Sequence, residues 1–157
     1  YDTSARVPLI ARMPEVIPPG RRTDGLASSV DLVPTMLSLI GKPIPAGLQG
    51  RDLSDLLRGK TDEGRGYVFI ENWPFVSAPD KGVERCVLDN RWKLILSTKR
   101  PPELYEYKVD ATEVTNLWEA KKNESFVADL LRQLAGWAAD TRDEVAPGLI
   151  EKARGKG

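Results

Sequence analysis

Residues 84–98 read Glu-Arg-Cys-Val-Leu-Asp-Asn-Arg-Trp-Lys-Leu-Ile-Leu-Ser-Thr, two short apolar runs on either side of an Asp-Asn pair. Successive side chains of a strand alternate between faces, so Trp92, Leu94 and Leu96 share one face and Lys93, Ile95 and Ser97 the other. Asp89-Asn90 is a two-residue turn signal, and strands over 84–89 and 92–98 are expected to close as a hairpin. Outward from it, 66–71 supplies a strand on the N-terminal side. A shorter strand over 103–107 follows Pro101-Pro102.

Further along, Phe126, Val127, Leu130, Leu131, Leu134, Trp137 and Ala138 recur at helical spacing, which predicts an amphipathic helix over 126–142 with Asn123 as its cap. Gly136 weakens that helix by roughly 1 kcal/mol relative to alanine without forbidding it. The predicted centre of the molecule is thus a small antiparallel sheet of about four strands, with one face covered by a C-terminal helix. Residues 146–157 read as a flexible basic tail. On the other side, 6–12 reads as a short apolar strand with Pro8 near its start, and 14–20 as a loop. Ser28 or Ser29 can cap a helix over 30–40, with Asp31 and Pro34 suited to its first turn and Gly41 and Pro43 ending it. Leu32, Val33, Met36, Leu37 and Ile40 form its apolar stripe. Residues 42–64 are mostly loop, with one helical turn at 53–57. A lone strand followed by a lone helix is a fragment of an α/β layer and cannot bury both its faces unaided. The fold class is therefore α+β. Its expected divisions are 1–60 (the α/β fragment), 61–145 (the α+β unit) and 146–157 (the tail).

Composition narrows the function. The 157 residues carry 23 basic and 23 acidic side chains, no histidine and one cysteine. Zero net charge argues against a nucleic-acid footprint, which needs a basic excess. No apolar run approaches the roughly 20 residues that cross a bilayer. Without histidine the chain lacks the commonest metal ligand and general base. Cys86 has no partner for an internal disulfide and reads as a small buried strand residue. The aspartates are scattered, without the alternating spacing of a calcium loop.

A resemblance runs through the chain in order. Residues 1–11 (Tyr-Asp-Thr-Ser-Ala-Arg-Val-Pro-Leu-Ile-Ala), 29–41 (Ser-Val-Asp-Leu-Val-Pro-Thr-Met-Leu-Ser-Leu-Ile-Gly) and 48–59 (Leu-Gln-Gly-Arg-Asp-Leu-Ser-Asp-Leu-Leu-Arg-Gly) each resemble a sulfatase element. So do 91–95 (Arg-Trp-Lys-Leu-Ile) and 103–117 (Glu-Leu-Tyr-Glu-Tyr-Lys-Val-Asp-Ala-Thr-Glu-Val-Thr-Asn-Leu). Each block is weak alone; their ordered set resembles the C-terminal portion of sulfatases, in the alkaline-phosphatase-like superfamily. The last block departs from the family pattern at Glu106, where Asp is usual, and at Ala111, where Pro is usual. The resemblance implies a large α/β domain, of which 1–60 would be a remnant, and a small C-terminal α+β subdomain. It also implies hydrolysis of sulfuric esters by formylglycine and a calcium ion. None of those catalytic elements maps onto this chain, since Cys86 is followed by Val87-Leu88-Asp89 rather than Pro-Ser-Arg two positions on. The expected partner is therefore an N-terminal catalytic domain.

Candidate site residues follow from that frame. Asn72 and Trp73, with Pro74 and Phe75, make an unusually aromatic loop, which either rims a substrate cleft or covers the sheet edge. Lys81 and Arg85 either meet an anionic substrate on that rim or stand as ordinary charges. Arg6 reads as a structural pairing residue. Asp110, Thr112, Glu113 and Asn116 read as caps of a turn rather than oxygen ligands. Two other readings stand beside the sulfatase fragment: part of a phosphate or phosphonate ester hydrolase of the same superfamily, and a free-standing interaction module. The apolar faces within 5–41 also predict a homodimer.

Overall fold

The computed structural model describes residues 5–74 and 82–155. The chain divides into two compact units, Val7–Val68, and Phe69–Gly157 together with Tyr1–Arg6.

In the Val7–Val68 unit, 6–12 takes no regular secondary structure. The strand expected there is not formed, because a strand needs a ladder neighbour and this segment joins no sheet among the described residues. Val7, Leu9 and Ile10 are exposed as a result. A 3-10 turn at Ser29–Asp31 leads into helix α1, Leu32–Leu39. Pro34 fits its first turn, where the missing N–H would have no intrahelical partner. The helix stops where Gly41 takes φ +69 and the Lys42 N–H reaches the Leu37 carbonyl at 2.8 Å, a left-handed cap that glycine adopts without Cβ strain.

The face that α1 buries is its polar one. Pro34 and Thr35 are buried, while Leu32, Val33, Met36 and Ile40 are exposed. Thr35 Oγ1 accepts the Leu53 N–H at 2.9 Å and donates to the Arg51 carbonyl at 3.4 Å. Ser38 Oγ lies 3.0 Å from Ser54 Oγ, at the start of α2, Ser54–Leu57. Asp31 organises the rest. Its carboxylate accepts N–H groups from Ser28 (2.9 Å) and Arg51 (2.7 Å) and the guanidinium of Arg65 (Nε at 2.7 Å). The close approach demands glycine at position 50, where a Cβ would lie 1.9 Å from the Val30 carbonyl oxygen.

From Val68 onward the chain forms a four-stranded sheet in the order β1 (Val68–Asn72), β2 (Glu84–Leu88), β3 (Lys93–Ser97), β4 (Glu103–Tyr105). Strands β2 and β3 are antiparallel with Leu88 opposite Lys93, and β3 and β4 are antiparallel with Lys93 opposite Tyr105. The hairpin forms as expected, but its turn sits one residue later. The Asp89 N–H donates to the Trp92 carbonyl at 3.0 Å, leaving Asn90-Arg91 as the loop. Asp89 closes it with its side chain, Oδ1 accepting the N–H groups of Arg91 (2.7 Å) and Trp92 (2.6 Å), an Asx turn that needs no left-handed residue.

After β4 come α3 (Trp118–Lys121), α4 (Ser125–Thr141) and α5 (Ala146–Ala153). The residue before α4 is Glu124 rather than Asn123, and no side chain caps it. Helix α4 lays Val127, Leu130, Leu131, Leu134 and Ala138 inward, against β2. Trp92 stacks on Phe126 at 4.4 Å and Trp137 on Phe69 at 5.5 Å. Val87, Leu94, Leu104, Val127 and Leu134 are fully buried, each contributing roughly 1.5–3 kcal/mol. Two expectations change here. Residues 146–153 are not a frayed tail: α5 buries Ala146, Leu149 and Ile150 against α4 and β3. Strand β3 is buried along its whole length, Lys93 included, so both faces of the sheet are covered at that point.

Candidate functional site

Trp73 follows β1 and is 57% exposed. The guanidinium of Arg85, from β2, lies 4.9 Å from the centroid of its ring. Arg85 itself is 0% exposed. Its Nε and Nη2 donate to Asp143 Oδ2 at 2.9 and 2.7 Å, and Nη1 donates to the Glu84 carbonyl at 2.8 Å. The positive charge is therefore turned inward, onto Asp143. Asn72 Nδ2 donates to Glu84 Oε2 at 3.1 Å. Asn72, Trp73 and Arg85 thus meet at the β1–β2 side of the sheet, and Lys81 lies outside the described residues.

Sequence reasoning did not single out Asp143, which anchors this group. While Oδ2 takes Arg85, Oδ1 accepts the N–H groups of Ala146 (2.6 Å) and Val145 (3.2 Å) at the start of α5. One carboxylate thus joins a strand arginine to a helix N-terminus, where negative charge is favoured. Burial alone would raise the Asp143 carboxyl. The hydrogen bonds from Arg85 and from the Ala146 amide, with the guanidinium charge, outweigh it and hold the group below the usual carboxylate value. The available signal was an acidic residue shortly before Pro147, a helix-start pattern.

The turn after β4 carries a second constellation. Asp110 Oδ2 accepts the Thr115 N–H at 2.8 Å, and the Thr112 hydroxyl lies 3.4 Å from Oδ1. Backbone N–H groups, Thr115's foremost, lower the Asp110 carboxyl. Asn116 Oδ1 accepts the N–H groups of Leu104 (3.0 Å) and Trp118 (2.9 Å), and its Nδ2 donates to the Pro102 carbonyl at 3.1 Å. These are the turn-capping roles expected of Asp110, Thr112 and Asn116. Glu113 does something else: its backbone takes φ +54 and its buried carboxylate pairs with the ammonium of Lys93, which also faces the Tyr107 ring at 5.8 Å. The block at 91–95 and the block at 103–117 are tied by that ion pair, as 29–41 and 48–59 are tied by Asp31 and Thr35.

These ties join four of the five blocks that carry the resemblance, and the family described as "N-sulphoglucosamine sulphohydrolase, C-terminal" matches residues 1–140. The chain belongs to this sulfatase family. It matches the C-terminal portion of sulfatases, within the alkaline phosphatase superfamily, and has the expected α+β fold. Among curated proteins, an "Ulvan-active sulfatase" of Formosa agariphila is 24% identical over 95% of this chain and 36% of its own length. A "Multifunctional alkaline phosphatase superfamily protein PehA" of Trinickia caryophylli is 26% identical over 79% of this chain and 26% of its own length. Among solved structures, BT4656 "in complex with its substrate D-Glucosamine-2-N, 6-O-disulfate" superposes with a TM-score of 0.75 at 20% identity, covering 86% of this chain and 28% of that one. The sulfatase portion described here thus spans about a third or less of these relatives' length.

Sulfatase chemistry by formylglycine and calcium does not fit the described residues. Among them no group of three or more His, Cys, Asp or Glu side chains is placed to hold a metal. Asp31, Asp143 and Glu113 are each committed to an arginine or lysine. Cys86 is buried in β2 and forms no disulfide. Two surface features stand out among the described residues: an exposed indole with a buried cation behind it, and an exposed apolar helix stripe.

Proposed function

We propose that the chain is the C-terminal part of a sulfuric ester hydrolase, where it completes the fold and walls one side of the substrate cleft. The nucleophile and the calcium ligands would come from an N-terminal catalytic domain outside these 157 residues. The observation that carries this reading is the inverted amphipathicity of α1. Met36 is 55% and Ile40 59% exposed on the apolar side, while the buried side is polar and bonded. An apolar helix stripe of this size is stable when another layer covers it, and the catalytic domain's α/β layer is the natural cover. Asn72 and Trp73 would stand on the cleft side, with Lys81 as a further candidate for that rim and Arg85 behind it.

A second reading has its own support. The likeness to a solved "Phosphonate monoester hydrolase" of Silicibacter pomeroyi, 25% identical with a TM-score of 0.58, keeps phosphate or phosphonate esters open as substrates. The test is the turnover of 4-nitrophenyl sulfate against phenyl 4-nitrophenyl phosphonate by the whole protein. A strong preference for the sulfate ester supports the sulfatase reading. A strong preference for the phosphonate replaces it with the second.

A further inference from the structure

Trp73 is out of place as a merely structural aromatic. A ring that only covered the sheet edge would lose most of its solvent exposure there, and this one keeps 57% of it. One side of the indole is backed by the Arg85 guanidinium at 4.9 Å. Because Arg85 is 0% exposed, the ring's exposure comes from its other side. The support is stiff: three guanidinium nitrogens are bonded to Asp143 and the Glu84 carbonyl, and Asp143 is fixed in turn by the Ala146 N–H at 2.6 Å. A cation held against the ring stabilises its orientation. Ordering that exists before a ligand arrives lowers the entropic cost of binding it.

We propose that Trp73 is a stacking platform for the pyranose ring of a sulfated saccharide, held from behind by Arg85 and Asp143; this rests on the reading of the chain as a cleft-walling part of a sulfatase. The chemistry suits that ligand. The C–H groups on one face of a pyranose form an apolar patch of about the size of an indole, while hydroxyl and sulfate groups project from the ring edge and stay in water. Asn72 stands next in the chain, with one amide hydrogen bond, to Glu84, among the described residues. Its carbamoyl oxygen is a suitable acceptor for a sugar hydroxyl. Arg85 acts through Trp73 and is a positioning residue, since its own charge is spent on Asp143.

The test uses the whole enzyme and compares two kinds of substrate. One is a panel of monosulfated glucosamine, galactose and rhamnose sugars; the other is 4-nitrophenyl sulfate, which has no pyranose. Trp73→Ala is expected to raise KM for the cleaved saccharide by about tenfold, the scale of one aromatic contact. The loss in kcat/KM on the saccharide should exceed that on the aryl sulfate, and it should lie in KM rather than kcat, with Tm unchanged. Trp73→Phe should recover most of the loss, and Arg85→Lys should fall between wild type and Trp73→Ala if its Tm is retained. Equal losses on both substrate kinds, or an unmoved saccharide KM, would overturn the platform. Wild-type enzyme that cleaves the aryl sulfate but no sugar in the panel would overturn it too, leaving the sulfatase reading intact. Wild-type enzyme that cleaves no sulfate ester would overturn the underlying reading itself.

Discussion

The Lys93 ammonium and the Glu113 carboxylate form a buried ion pair across 20 residues of sequence, each side chain 1% exposed. It fastens β3 to the loop after β4. Removing one partner leaves an uncompensated charge in the interior, which typically costs about 3–5 kcal/mol. Glu113→Gln and Lys93→Met should each lower urea-unfolding stability on that scale. The double variant Lys93→Met/Glu113→Leu should recover most of the loss, because a well-packed apolar pair often substitutes for a buried salt bridge. Additive losses in the double variant would mean that the two groups are not coupled.

Gly50 and Gly136 make a matched pair of opposite sign. A Cβ at position 50 would meet the Val30 carbonyl oxygen at 1.9 Å, whereas one at position 136, within α4, would meet nothing within 4 Å. Gly50→Ala should destabilise the Val7–Val68 unit, read as faster amide exchange over those residues. Gly136→Ala should stabilise by up to about 1 kcal/mol through helix propensity. A neutral Gly50→Ala would contradict the packing around Asp31.

Acid should unfold the protein through Asp31 and Asp143. Burial pushes both carboxyls up, but their arginine partners and backbone N–H donors pull harder, and both are held below the ordinary value. The folded state then binds fewer protons than the unfolded one, whose aspartates titrate near ~3.9. Their stabilising contribution is full above the unfolded pKa and is lost as pH falls through the lowered folded values. Tm should therefore be flat from about pH 7 to 5 and drop below about pH 4. Asp143→Asn should lower Tm at pH 7 and flatten the acid drop. An unchanged acid slope in that variant would remove Asp143 from the account.

The apolar stripe of α1 should make the isolated 157-residue chain associate with itself through the 5–41 region. Light scattering across a dilution series should show dimer. Met36→Asp/Ile40→Asp should shift it to monomer without lowering Tm, since both side chains are exposed. A wild-type chain that stays monomeric at high concentration would count against a sticky face there.

The hairpin and α4 were legible because they depend on period alone: alternation over 92–98, and recurrence of apolar residues from Phe126 to Ala138. Where a partner decides, the sequence said less. The 6–12 segment has strand composition, yet a strand exists only beside a neighbour. Residues 146–153, with Pro147 near their start, read as part of a flexible basic tail. Proline is in fact tolerated in a first helical turn, and the helix start is satisfied by Asp143, which lies outside it. The same holds for the candidate site. Trp73 and Arg85 each stood out in the sequence as candidates, but the contact between them did not. Arg85's inward turn depends on an aspartate 58 residues away. Glu113 read as one more turn residue because its true partner lies across the sheet.

The most direct test of the central claim is reconstitution. The catalytic region of the whole protein and these 157 residues would be produced separately, then mixed and assayed for hydrolysis of a sulfate ester. The account predicts no turnover from this chain, little or none from the catalytic region, and activity on mixing that Met36→Asp/Ile40→Asp abolishes. Full activity of the catalytic region alone, unchanged by adding the chain, would contradict it.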